Sequence, residues 1–276
     1  MPELPEVETI KRGLQEKIVG RKIEDVVYDA PKMLLPNPKT LLASVVGTKI
    51  IKVDRKAKLI LIYLSNGNIL VIHLKLTGRL IFRSKKVLAD EWQHVIFKFE
   101  GDEELRFCDL RKFGFVRLVI DKRELGAILS EFGPEPLTSE FTEEKLGEIL
   151  RRSSKPVKLV LMDQAKIAGV GNIYANEALF WAGIHPEGKG NSLSGNQVNR
   201  LYEALNKVLK EGIRYKGATE SDRAYRDVEG NPGKFQEHFA VYGREGERCV
   251  RCGTEIKRIK LGGRGTFFCP RCQTTS

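Results

Sequence analysis

The sequence predicts an α+β, multidomain chain: an N-terminal antiparallel β-sandwich opened by a helix, then a helical region, then a small cysteine-bearing β-hairpin. Three observations carry this reading. Residues from about 21 to 120 alternate apolar and polar positions between short turn signals. The period switches to helical after residue 142. Four of the five cysteines fall within the last thirty residues, as two close pairs.

The opening helix is marked by Val7, Ile10, Leu14 and Ile18, spaced three and four apart on one face. Pro5 suits a first turn, where its missing N–H costs nothing. Glu3 and Glu6 lie at the positive end of the helix dipole. In the β region, Asn66-Gly67 is a strong hairpin turn, and Gly101-Asp102 marks another. The prolines of "FGPEPLTSEFT" end the alternation and place the domain boundary there. Beyond it, Thr142 caps one expected helix, with Glu143 and Glu144 in its first turn. Ser154 caps a second, with Pro156 just inside. "AGVGNIYANEALFWAGI" is a Gly-rich turn feeding a third helix, and a long fourth follows Ser194 with Val198, Leu201, Leu205, Val208 and Leu209 on one face. Residues 216–238 are polar and aperiodic and read as a mobile loop.

Lys and Arg total 47 against 36 Asp and Glu, a net +11 over 276 residues, which favours a polyanionic partner. No apolar run approaches the ~18 residues of a membrane span, and the first residues match neither a signal nor a transit peptide. A cytoplasmic protein with reduced thiols is therefore expected. Cys108, far from the other cysteines, reads as a small buried hydrophobe.

Cys249-x2-Cys252 and Cys269-x2-Cys272 are separated by sixteen residues. Each C-x2-C places two thiolates on one tight turn, and two such turns close a tetrahedron around Zn²⁺. All four positions are protein ligands, so one structural zinc is expected, with no open place for a catalytic water. From Arg244 onward there are eight basic and three acidic residues, a net +5. A basic hairpin on a rigid staple suits phosphate contact, and its Gly262-Gly263-Arg264-Gly265 tip lets backbone and guanidinium approach closely.

The crowding of Pro2, Glu3, Pro5 and Glu6 has two readings. It is a helix start with dipole-complementing acids, or it is a reactive terminus. With Met1 removed, Pro2 offers a secondary α-amine; α-amino groups titrate near ~7.7–8.0, so an appreciable neutral fraction exists at pH 7. Attack on a sugar C1′ gives an iminium, an electron sink for later eliminations. Glu3 and Glu6, one helical turn apart, supply carboxyl groups for proton transfer.

In order along the chain stand "PELPEVET", "RKAK" (55–58), "DLRKFG" (109–114), "GPEPL" (133–137), "GVGNIYANEALFWAGIHP" (169–186), "VYGR" (241–244) and the four cysteines. Together they resemble the bacterial formamidopyrimidine-DNA glycosylase family, and the resemblance spans the chain. It implies a β-sandwich domain (1–133), a linker (134–141), a helix-two-turn-helix domain (142–238) with a lesion-capping loop at about 217–235, and a zinc β-hairpin (239–276). DNA would lie in a basic cleft between domains.

The implied activity is excision of oxidised purines from duplex DNA, chiefly 8-oxoguanine and formamidopyrimidines, followed by β,δ-elimination at the abasic site. Carried over by position, Pro2 would be the nucleophile, Glu3 the proton donor, Glu6 a supporting group, and Lys58 a residue near the lesion phosphate. Leu76, Arg111 and Phe113 would fill the hole left by the everted base; Leu76 replaces a methionine common in the family. Asn172 and Arg264 would clamp phosphates. His94 and Lys155, with Lys158 and Arg244, are further expected DNA contacts; the other histidines read as core or groove residues. No redox or nucleotide cofactor is implied. The expected partner is damaged double-stranded DNA, the expected state a monomer, and the location the bacterial cytoplasm, at the nucleoid. Competing readings are an endonuclease VIII-like enzyme acting on oxidised pyrimidines and a non-catalytic zinc DNA-binding protein of the same fold.

Overall fold

A computed structural model describes residues 1–220 and 225–274. The chain divides into two compact units: Met1–Leu129 with Tyr215–Gln236, and Ser130–Arg214 with Glu237–Ser276.

The first unit opens with helix α1 (Leu4–Ile18), whose Val7, Ile10, Leu14 and Ile18 are all fully buried, as their spacing predicts. There follow β1 (Ile23–Tyr28), β2 (Leu34–Leu35), α2 (Pro38–Val45), β3 (Ile50–Lys56), β4 (Leu59–Leu64), β5 (Ile69–His73), β6 (Gly78–Ser84), β7 (Gln93–Phe99), β8 (Glu103–Asp109), β9 (Phe115–Val119) and α3 (Lys122–Ser130). The strands form a four-stranded sheet, β1-β7-β8-β6, and a five-stranded sheet, β2-β9-β5-β4-β3. All pairings are antiparallel except β2 with β9. Ile60, Ile62, Leu70 and Ile72 from one sheet share a core with Leu80, Val95, Phe97 and Phe107 from the other, which makes the pair of sheets a sandwich. The face of α1 enters the same core. Both expected hairpin turns are present, with Gly67 (φ 87°) and Gly101 (φ 90°) in the left-handed region that favours glycine.

The second unit holds α4 (Glu143–Arg151), α5 (Val157–Met162), α6 (Asn172–Ala182), α7 (Gly195–Arg214), β10 (Lys257–Leu261) and β11 (Arg264–Phe268). Thr142 Oγ1 accepts the Lys145 N–H at 3.2 Å, the expected cap. On α7 the predicted stripe is buried, and Ser194 and Gln197 cap its start reciprocally: Gln197 Oε1 accepts the Ser194 N–H at 2.8 Å. Helix α6 is buried on every side, from Ile173 to Phe180.

Two expectations about local structure are corrected. Ser154 does not cap α5: the helix starts at Val157, Pro156 is its N-cap, and Pro156 pairs instead with Lys189 in a β-bridge. The segment from 216 onward is not a loose loop within the helical region. In its described part Tyr225, Val228 and Phe235 are buried, and Tyr225 and Val228 belong to the sandwich core. Val228 meets α1 at Gly13, where an added Cβ would come within 2.4 Å of Val228 Cγ2.

Candidate active site and nucleic-acid interface

Pro2 and Glu3 are buried at the start of α1, and Glu3 is its N-cap with extended backbone (φ −107°, ψ −170°). Glu6, on the first turn, is 1% exposed. Its Oε2 accepts the Glu3 N–H at 2.8 Å, and its Oε1 accepts the Ala218 N–H at 2.8 Å. The carboxylate therefore joins the helix start to the backbone at Ala218. Gly217 makes the approach possible. It has φ +80°, and a Cβ there would lie 2.8 Å from Glu6 Cγ and Oε1.

The segment is secured on its other side. Thr219 Oγ1 donates to Tyr225 O at 3.1 Å and accepts the Gly233 N–H at 2.9 Å, while the Tyr225 hydroxyl donates to Lys216 O at 2.9 Å. Burial, reinforced by the charge of Glu6, pushes the Tyr225 phenol well above its ordinary range, so it stays a protonated donor. Residues 221–224 of the expected capping loop lie outside the described residues.

Lys58 sits in the two-residue turn between β3 and β4, beside Ala57 at φ +53°, and is 6% exposed. Helix α1 lies on β3, where Arg55 Nε donates to Glu8 Oε2 at 2.9 Å. From sequence His73 reads only as a core or groove residue. Its Nδ1 accepts the Lys75 N–H at 2.9 Å, which leaves Nε2 as the protonated nitrogen of the neutral ring. Burial, with the positive charges of Lys75 and Lys58, holds its pKa down at about 3. The ring is an acceptor for Lys75 throughout the neutral range.

Leu76 and Arg111–Phe113 lie on two loops that leave the same edge of the sandwich, one joining β5 to β6 and the other β8 to β9. Phe113 is 57% exposed and Arg111 is exposed. A core role for Phe113 is thereby excluded; Leu76 is half-buried. His94 marks a register shift between β7 and β8, where the pairing passes from Gln93 to Val95. Its Nδ1 lies 2.7 Å from Asp29 Oδ1, while its Nε2 is the one buried side-chain polar atom without a partner among the described residues. Cys108 is buried, and burial pushes its thiol up to about 12, which makes it an inert core residue as expected.

In the second unit, Asn172 is the first residue of α6, and Arg264 opens β11 in an exposed position after the Gly262-Gly263 turn. Both glycines have positive φ (56° and 75°), as a tight two-residue hairpin turn requires. Asn176 links the two: its Nδ2 donates to Asn172 O at 2.6 Å and its Oδ1 accepts the Phe267 N–H at 2.8 Å. Glu177, fully buried, accepts N–H groups from Ala240, Val241 and Tyr242 at 2.8–3.0 Å, anchoring the chain that enters the cysteine module. Burial raises its pKa despite these three donors. Neither residue was singled out from sequence, although both stand in the quoted "NIYANEALF" run.

Lys155 is exposed. Lys158 and Arg244 are not placed as phosphate contacts. Lys158 is fully buried, with Nζ donating to Thr266 Oγ1 at 2.6 Å and Gly265 O at 3.1 Å, so it ties α5 to the hairpin. The Arg244 guanidinium is taken up by Phe239 O, Ala240 O, Arg248 O and Glu247.

The sulfurs of Cys249, Cys252, Cys269 and Cys272 all lie within 4.8 Å of one another. A tetrahedron with Zn–S bonds of ~2.3 Å has edges of about 3.8 Å, and the Cys249–Cys272 and Cys252–Cys269 pairs stand at 3.9 and 3.5 Å. The four thiolates fit one structural Zn²⁺, with Ile256 and Phe180 packed beside them.

Three family models match in the order of this architecture: the formamidopyrimidine-DNA glycosylase N-terminal domain over residues 1–116, the formamidopyrimidine-DNA glycosylase H2TH domain over 132–224, and the zinc finger found in FPG and IleRS over 246–275. The chain belongs to the formamidopyrimidine-DNA glycosylase family. Curated members of that family from Chloroflexus aurantiacus and Listeria innocua are 44% and 41% identical over 276 and 275 residues, covering 100% and 99% of this chain and 98% and 100% of theirs. The solved complex of Lactococcus lactis Fpg with DNA containing an abasic site is 36% identical with a TM-score of 0.93, covering 99% of this chain and all of the other. A MutM complex with DNA containing carbocyclic 8-oxo-G covers the same shares at 36% identity and a TM-score of 0.92. The span matched by the H2TH domain contains α4, α5, α6 and α7, and the span matched by the zinc finger contains β10 and β11.

Proposed function

We propose that this chain is a bifunctional DNA glycosylase and abasic-site lyase of base excision repair, working on oxidised purines in duplex DNA in the bacterial cytoplasm, at the nucleoid. The observation that carries the reading is the buried Pro2–Glu3 start of α1, held to the 217–219 backbone by the two oxygens of Glu6. A helix start needing only dipole-complementing acids has no reason to bury both carboxylates. The domain arrangement follows the family: a sandwich over 1–133, a linker over 134–141, a helical domain over 142–238 and a zinc hairpin over 239–276. In this structure residues 215–236 group with the sandwich unit.

The chemistry runs from the chain's own residues. Met1 is joined to Pro2 here, so its removal comes first and frees a secondary amine. The Pro2 nitrogen lone pair attacks C1′ of the everted nucleotide, the glycosidic bond electrons leave with the base, and the proton lost from the Pro2 nitrogen balances the one the base takes up. Glu3 delivers a proton to the deoxyribose ring oxygen, the ring opens, and an iminium links Pro2 to C1′. The iminium accepts electrons as a C2′ proton is removed. Expulsion of the 3′ phosphate and then the 5′ phosphate leaves a one-nucleotide gap, and water hydrolyses the remaining iminium, releasing the sugar fragment as an aldehyde and freeing Pro2. Lys58 neutralises the phosphate beside the lesion. Leu76, Arg111 and Phe113 occupy the vacated stack, and the exposure of Phe113 supports that use. Asn172, Arg264 and Lys155 take phosphates, Asn172 with the help of backbone N–H groups at the start of α6. Zinc holds the hairpin and supplies no step.

Pro2→Gly and Glu3→Gln variants, assayed on matched duplexes carrying 8-oxoguanine or thymine glycol, test the reading. It requires turnover of 8-oxoguanine by the unaltered protein and a loss of at least about a hundredfold in each variant. Preferred turnover of thymine glycol would move the substrate to pyrimidines. Full activity in both variants would refute the roles assigned to Pro2 and Glu3.

A further inference from the structure

Asp109 is the last residue of β8, 1% exposed, at the point where both proposed void-filling loops leave the sandwich. Its carboxylate joins them. Oδ1 accepts the Thr77 hydroxyl, from the loop that carries Leu76, in a close hydrogen bond. The same oxygen accepts the Arg111 N–H at 3.2 Å, and Oδ2 accepts the Gly114 N–H at 2.7 Å. Thr77 Oγ1 in turn accepts the Arg111 N–H at 3.3 Å, and Asp109 O accepts the Lys112 N–H at 3.1 Å. The carboxylate thus spans the loop holding Leu76 and both ends of the loop holding Arg111 and Phe113.

The backbone of the two loops adds an independent observation. Lys75, directly before Leu76, has φ +55°, and Lys112, directly before Phe113, has φ +53°. Such conformations in non-glycine residues cost free energy and persist where the surroundings over-determine them. On one side the determinant is the His73 Nδ1 bond to Lys75; on both it is the Asp109 carboxylate. Gly114 completes the seat, because a Cβ there would come within 2.5 Å of Phe107 Cζ and 3.1 Å of Asp109 Oδ2.

We infer that Asp109 is a positioning residue that sets Leu76, Arg111 and Phe113 as one rigid wedge, and so sets the efficiency with which an intact damaged base is everted. The inference rests on the void-filling role proposed above for those three residues. Asp109 itself touches neither the reacting atoms nor, on this account, the DNA. Eversion of a paired base costs a few kcal/mol, and a preformed abasic site has no base to unstack. A loosened wedge therefore penalises base excision more than it penalises incision at an abasic site.

The test compares, at single turnover, excision of 8-oxoguanine and incision of a preformed abasic site in the same duplex. Asp109→Asn replaces Oδ2 with a donor facing the Gly114 N–H; Thr77→Val removes the bridging hydroxyl, and Thr77→Ser keeps it. Phe113→Ala runs in parallel. The inference expects Asp109→Asn and Thr77→Val to reduce 8-oxoguanine excision by about tenfold more than abasic incision, the scale of modest misplacement near a reacting centre, with Thr77→Ser restoring the ratio. Equal losses on both substrates, or none, with Phe113→Ala shifting the ratio, would overturn the role of Asp109 alone. An unchanged ratio in Phe113→Ala would overturn the void-filling reading and this inference with it. If Asp109→Asn does not fold, the Thr77 pair carries the same test.

Discussion

The Ala218 N–H donates to Glu6 Oε1 at 2.8 Å, joining residues 212 positions apart in the sequence. One carboxylate on the first turn of α1 thereby holds a segment that follows α7, and the proposed reactive end of the chain is built from both.

Gly217 is where this closure is most vulnerable. An added methyl would meet Glu6 at 2.8 Å and Tyr225 Cε1 at 3.0 Å, in a backbone conformation that L side chains resist. Gly217→Ala is expected to destabilise the first unit by about 1–3 kcal/mol in denaturant titrations and to lower excision of 8-oxoguanine. Wild-type stability and activity would mean that the Glu6 contact sets neither.

How far this was legible depends on the range of the determining interaction. The Asn66-Gly67 turn, the stripe on α7 and the paired cysteines are local signals, and each appears in place. Helix α3 carries a short apolar stripe, Leu125, Ile128 and Leu129, that went unread; it spans barely one turn and is only half-buried. Helix α2 did carry a signal that went unused: Asn37 Oδ1 accepts the Thr40 N–H at 2.9 Å, with Pro38 just inside. The 216–238 segment reads as a loose loop because Tyr225, Val228 and Phe235 follow no period; they are buried by partners far away in sequence, such as Gly13. Pro2, Glu3 and Phe113 were picked out through motif order, and the structure buries the first two and exposes the third. Asp109 and Asn176 stood inside quoted motifs, but only geometry reveals what their side chains hold.

His73 provides a pH test. Burial, with Lys75 and Lys58 nearby, depresses its folded pKa to about 3 from an ordinary 6.5. Between those values the unfolded chain binds a proton that the folded chain refuses. Stability from this source is complete above pH 6.5 and is lost progressively as the pH falls, at up to about 1.4 kcal/mol per unit. Urea titrations at pH 6.5 and 5.5 should show a shallower loss for His73→Gln than for the unaltered protein. Parallel losses would show that His73 is not the depressed group.

The zinc site is separable from the sandwich. Cys269→Ser, or chelation, is expected to release the metal and disorder β10–β11, with Arg264 on it. DNA affinity should fall at least about tenfold and its salt dependence flatten as phosphate contacts are lost, while hydrogen-exchange protection in β4 and β5 persists. Unchanged DNA affinity after complete zinc loss would remove the hairpin from the interface.

The central claim is that the nitrogen of Pro2 forms the covalent bond to C1′. Borohydride reduction during turnover of an 8-oxoguanine duplex, followed by proteolysis and mass mapping, reads the attachment atom directly. The account predicts one trapped nucleotide on a peptide that begins at Pro2, with Met1 absent. A trapped nucleotide on Lys58 or any other lysine, with the Pro2 peptide unmodified, would contradict it.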